Sequence, residues 1–105
     1  MLRILIVVDM QNDFITGSLG NTEARGIVEK VVDKIKSYDR SCVWATLDTH
    51  SSDYLDTLEG KYLPVEHCIE NTYGWQIQDD IASLIDESHI ITKDKFGSKI
   101  GRAHV

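Results

Sequence analysis

Leu2-Arg3-Ile4-Leu5-Ile6-Val7-Val8-Asp9 is the stretch on which the fold turns. From Ile4 to Val8 it is unbroken aliphatic sequence, mostly β-branched. A strand with one wet face alternates apolar and polar residues. A continuous apolar strand reads instead as covered on both faces, as in a parallel sheet flanked by helices. Asp9 closes the run, and Gly17, Ser18, Gly20 and Asn21 mark a loop. The period then changes. Ala24, Ile27, Val28, Val31, Val32 and Ile35 recur at i, i+3, i+4, i+7, i+8 and i+11, one stripe of an amphipathic helix. Asn21 or Thr22 stands where a helix cap belongs. Glu29, Lys30, Asp33, Lys34 and Lys36 form its solvated face. Ser41 to Leu47 reads as a second buried strand, so strand, helix and strand form a right-handed βαβ unit. Trp75, Ile77, Ile81, Ala82, Leu84 and Ile85 predict a second, shorter helix, and His89 to Thr92 a third strand. The fold class is α/β with a parallel sheet.

The chain has 105 residues, one domain at most. Eleven Lys and Arg against 17 Asp and Glu give a net charge of −6. That balance argues against nucleic-acid or anionic-membrane partners, which need a cationic face. Apolar residues at 42% and charged residues at 27% are those of an ordinary globular domain, not a disordered one. Two cysteines are too few for a disulfide framework, which points to free thiols in a reducing compartment. The opening apolar run ends too early for a signal peptide, whose core needs about 7–15 residues. A cytoplasmic location is therefore expected.

In open parallel sheets, ligands bind beyond the carboxyl ends of the strands. Each predicted strand ends in ionisable residues: Asp9, then Asp48 and His50, then Lys93. One such residue alone would read as a solvated loop charge; three ends on one rim suggest a site. Asp48 and His50, two apart in extended chain, point the same way. Residues 49 to 74 show no sustained period, and long loops in compact domains are often functional. This one adds Glu59 and His67. Carboxylate and imidazole donors together suit zinc, iron or manganese rather than calcium, with zinc the first choice. Asp9 is the natural general base. An aspartyl-phosphatase reading fails because Gln11 stands where a second Asp would be required. His89 and His104 have no partners, and Cys42 is expected in the core, mid-strand.

Val7-Val8-Asp9-Met10-Gln11-Asn12-Asp13-Phe14 resembles the opening signature of the isochorismatase-like cysteine hydrolases. Asp48-Thr49-His50, Glu59-Gly60, Leu63-Pro64 and His67-Cys68 resemble the metal loop of the nicotinamidase branch. Lys93-x-x-Phe96-Gly97-Ser98 resembles the segment with the catalytic lysine, and Lys95 is a less favoured candidate for that role. The resemblance covers residues 2 to 98. It implies a three-layer α/β/α sandwich, of which the first three strands and their helices are present. It also implies an Asp–Lys–Cys triad with Asp9 as base and Lys93 lowering the pKa of the thiol. The thiolate attacks a small carboxamide, ammonia leaves, and water cleaves the thioester. Asp48, His50, Glu59 and His67 would hold the divalent metal, which meets the ring nitrogen of the substrate, and Phe14 would contact the substrate.

The resemblance also shows a departure. The family's nucleophilic cysteine follows a fourth strand that this sequence does not reach, and Cys68 matches a non-catalytic cysteine. Residues 1–98 are therefore expected to be the amino-terminal part of one hydrolase domain, inactive as it stands. Its first strand should present an unpaired apolar edge. Residues 99–105 match neither a helix nor a strand and back-translate to the start of a common sequencing adapter, so a non-native tail is expected. The full-length protein is a candidate homo-oligomer. Two alternatives share the scaffold: an isochorismatase-type vinyl-ether hydrolase, without thiol or metal, and a non-catalytic binding module.

Overall fold

The computed structural model describes residues 3–94 and 97–98. The readings made for Lys95, Phe96, His104 and the 99–105 tail lie outside them. Three strands form a parallel sheet: β1 (Leu5–Val8), β2 (Val43–Asp48) and β3 (Ile90–Asp94), in that spatial order. Their registers pair Val7 with Ala45 and Asp48 with Lys93. A two-residue strand, β4 (Gly97–Ser98), returns antiparallel to β3.

The connection from β1 to β2 carries α1 (Asn12–Ile15) and α2 (Thr22–Lys36). Asn21 caps α2, its side-chain oxygen accepting the Ala24 N–H at 2.7 Å. The connection from β2 to β3 carries α3 (Leu58–Tyr62) and α4 (Asp79–Ala82). The expected second helix is thus shorter than its apolar pattern. Within Trp75 to Ile85 only α4 is α-helical, and Trp75 closes a 3-10 turn, Tyr73–Trp75; His89, expected to open the third strand, instead ends a 3-10 turn, Glu87–His89, before β3.

The core lies between the sheet and α2 and α4. Val7, Val43, Ala45 and Leu47 meet Ile35, Ile77, Ile81 and Ile85, with Val28, Val31 and Val32 packed on the cluster. Ile27, in the same sequence stripe, remains 43% exposed. Helices α2 and α4 contact one another, so both crossovers cover the same face of the sheet.

That placement corrects the reading of β1 as covered on both faces. Val7 is buried, but Ile4, Ile6 and Val8 are 57%, 58% and 57% exposed. Among the described residues, no helix packs on that side, and β1 is an edge strand. Cys42 also departs from expectation. It is half-buried in the 3-10 turn Arg40–Cys42 that precedes β2, not mid-strand, because pairing with β1 begins only at Val43. Among the described residues, no helix is long and apolar enough to cross a membrane.

Candidate metal centre and acid–base pair

At the carboxyl end of β1, Asp9 has φ = 55°, in the left-handed region that Asp tolerates better than bulkier residues. Its N–H still bonds to the Thr46 carbonyl of β2 at 3.1 Å. The left-handed turn stops the strand and keeps the carboxylate on the rim. Lys93, from β3, reaches over β2 and places Nζ 2.9 Å from Asp9 Oδ1 and 3.1 Å from Oδ2. The Thr46 hydroxyl donates to Oδ1 at 3.3 Å. The ion pair therefore spans all three parallel strands, with both side chains about 28–29% exposed and open to a ligand.

Asp48 is the register partner of Lys93. Beside it, the long connection folds back on itself. The His50 N–H donates to the Cys68 carbonyl at 2.9 Å, and the Glu70 N–H to the His50 carbonyl at 2.8 Å. This pairing sets the His50 and His67 rings 4.8 Å apart. Asp48 Oδ2 lies 3.2 Å from His50 Nε2 and 3.7 Å from His67 Nε2. One donor atom from each of Asp48, His50 and His67 falls within 4.8 Å of the others.

The chemistry of this trio fits a divalent cation. Nδ1 of the buried His67 lies 2.8 Å from the Val65 carbonyl, which can only accept, so Nδ1 carries the proton. The Nε2 lone pair then points to the cluster, as a ligand's must. Glu59, on α3, is beside the trio rather than within it: Oε2 is 3.4 Å from His50 Nε2, and the side chain is half exposed. Tyr54 is buried and packs against both imidazoles, with centroids at 4.7 and 5.0 Å. Its hydroxyl donates to the Leu63 carbonyl at 2.8 Å. Burial, then the charges of Glu59 and Asp48, push its pKa up. Phe14 sets its edge against His67 at 5.6 Å.

Cys68 is fully buried, and its thiol is pushed up to about 12, by burial first and then by the carboxylates of Asp48, Asp13 and Asp9. A thiol so protonated is no nucleophile. Cys42 precedes β2, at the other end of that strand from Asp48. The structure thus brings Asp9 to Lys93, and Asp48 to His50 and His67, with Glu59 and Phe14 alongside.

Sequence reasoning missed the polar residues that brace this rim. Gln11 is wholly buried and Asn12 nearly so. Asn12 Nδ2 donates to the Tyr73 carbonyl at 2.9 Å, and Trp75 Nε1 to the Thr49 hydroxyl at 2.9 Å. The available signal was three polar residues, Gln11 to Asp13, between Met10 and Phe14 where a turn would need fewer.

The sequence matches the family model of the isochorismatase domain over residues 3–102. It is 31% identical to a nicotinamidase of Saccharomyces cerevisiae, over 90% of this chain and 56% of that protein. Among solved structures it is similar to the pyrazinamidase of Pyrococcus horikoshii in complex with zinc, at 30% identity and a TM-score of 0.62. That match covers 88% of this chain and 50% of the other. It is also similar to the N-carbamoylsarcosine amidase of Thermoplasma acidophilum, at 26% identity and a TM-score of 0.68, over 96% of this chain and 61% of the other. The chain therefore spans about half to three-fifths of the length of these relatives.

Proposed function

The chain belongs to the isochorismatase family, and from that premise we propose that it carries the acid–base pair and metal cradle of a nicotinamidase-like amidohydrolase. The substrate class is a small carboxamide, converted to the acid and ammonia. The observation that carries this reading is the adjacency of two devices on one rim. Asp9 is paired with Lys93 across β2, and Asp48, the register partner of Lys93, converges with His50 and His67. The yeast nicotinamidase and the zinc-containing pyrazinamidase support it. A vinyl-ether hydrolase would have no use for the imidazole pair.

In this reading Asp9 would accept, at a carboxylate oxygen, the proton of an attacking thiol other than those of Cys42 and Cys68. Lys93 holds that carboxylate in place and favours the thiolate by its charge. Asp48, His50 and His67 hold the divalent cation, with Glu59 beside them, and Phe14 borders the site. Bound there, the cation supplies a fixed positive charge that orients a Lewis-basic atom of the substrate. Neither cysteine serves as nucleophile, since Cys68 is buried and Cys42 lies at the far end of β2. We therefore expect the 105-residue chain to bind the metal without turning over amide.

Elemental analysis and calorimetry test this. The expected result is one zinc per chain, lost in His67→Ala, with no ammonia released from nicotinamide or pyrazinamide. Absence of zinc binding, or zinc binding that persists undiminished in His67→Ala, would overturn the reading.

A further inference from the structure

Two buried or half-buried side chains grip the metal cradle by its backbone rather than by its donor atoms. Gln11 is wholly buried and turns both ends of its amide to the Asp48 backbone. Its Oε1 accepts the Asp48 N–H at 2.9 Å, and its Nε2 donates to the Asp48 carbonyl at 2.8 Å. A further bond from Nε2 to the Trp75 carbonyl, at 2.7 Å, anchors the amide from behind. Both backbone groups of Asp48 are thereby held by one rigid plane. Asp13 braces the other side of the cradle through a single backbone group. Its Oδ2 accepts the N–H of Cys68 at 2.8 Å. Cys68 follows His67 directly and has φ = 51°, a left-handed conformation unfavourable for a residue with a Cβ. That hydrogen bond holds the turn that aims His67. Gly17 and Gly74 border Asp13 so closely that a Cβ at either would overlap its carboxylate.

We propose that Gln11 and Asp13 are positioning residues that set the affinity of the Asp48–His50–His67 cradle for its divalent cation. They do so by fixing the backbone of Asp48 and of the residue after His67. The proposal rests on the reading of that trio as a metal site. The segment from Asp9 to Asp13 then has two duties. Asp9 faces the chemistry, while Gln11, just before α1, and Asp13, in its first turn, tie this segment to the two arms of the cradle. Hydrogen bonds that orient ligands from behind are typically worth 10–100-fold in metal affinity.

The test is a Co²⁺ titration of the full chain, read by visible absorption and by competition with a chromophoric chelator. Urea unfolding of the metal-free proteins runs in parallel. Asp13→Ala and Gln11→Met should weaken Co²⁺ binding about 10–100-fold. Asp13→Asn, which keeps an acceptor for the Cys68 N–H, should stay within about threefold of the parent and keep its absorption spectrum. A folded Asp13→Ala or Gln11→Met that binds Co²⁺ as tightly as the parent overturns the proposal. So does an Asp13→Asn as weak as Asp13→Ala, since charge rather than the hydrogen bond would then be the cause. Should both first variants unfold without metal, Co²⁺ is titrated into them. Refolding only at tenfold or more above the parent's midpoint supports the proposal. Refolding at the parent's midpoint, or none at any concentration, overturns it. If the parent chain itself binds no Co²⁺, the metal-site reading fails, a result distinct from parent and variants binding alike.

Discussion

Two thiols in this chain sit in opposite circumstances. Cys68 has no exposed surface, and burial among three carboxylates raises its pKa to about 12. Cys42 is half-buried in a turn at the sheet's other end. Only thiolate reacts with iodoacetamide, and a group whose folded pKa is raised stays protonated at all pH values below it. Alkylation of the native chain should therefore label Cys42 alone at pH 8, and raising the pH to 10 should not unlock Cys68. Peptide mass spectrometry checks this; label on Cys68 before Cys42 would contradict the packing around His67. At this scale the sequence was informative about which ionisable side chains meet, Asp9 with Lys93 and Asp48 with His50 and His67, because all but His67 stand at or just beyond the carboxyl ends of neighbouring strands. It was silent about Gln11 and Asp13. Their roles depend on partners 37 and 55 residues away, a relation no local pattern encodes.

Among the elements, α2 was the most legible. Its stripe of Val28, Val31, Val32 and Ile35 packs on the core, and its cap, Asn21, makes the bond that its chemistry predicts. Asn21→Ala should cost about 1 kcal/mol in urea unfolding, with the helix otherwise retained. A loss below a few tenths would mean that water replaces the cap. The 49–74 connection was illegible for a physical reason. Its short turns and α3 have too few residues for a period to show, and they are held by contacts at a distance. Thr57 caps α3, Gly60 lies under the Tyr54 carbonyl where a Cβ would not fit, and His50 pairs with the chain at Ile69. The second helix was overread because apolar residues between Trp75 and Ile85 serve one core from several turns rather than from one helix.

For the whole molecule, the parallel α/β arrangement was readable from β1, α2 and β2, and the solved structures share it. The side on which helices would lie was not, because an apolar strand does not say which of its faces is covered. Among the described residues, the uncovered side carries Ile4, Ile6 and Val8 on an edge strand, a template for association with other chains. Light scattering should show the 105-residue chain self-associating with concentration, and Ile6→Lys should raise the monomer fraction. A parent chain that stays monomeric and melts cooperatively would refute this. The Asp9–Lys93 bridge has a temporal consequence. Its partners are 84 residues apart in sequence and join the first strand to the third across the second. As the polypeptide is synthesised, the carboxylate emerges long before the amine that matches it. The hydrogen-bonded rim of a nascent molecule is thus incomplete until the chain through Lys93 has left the ribosome.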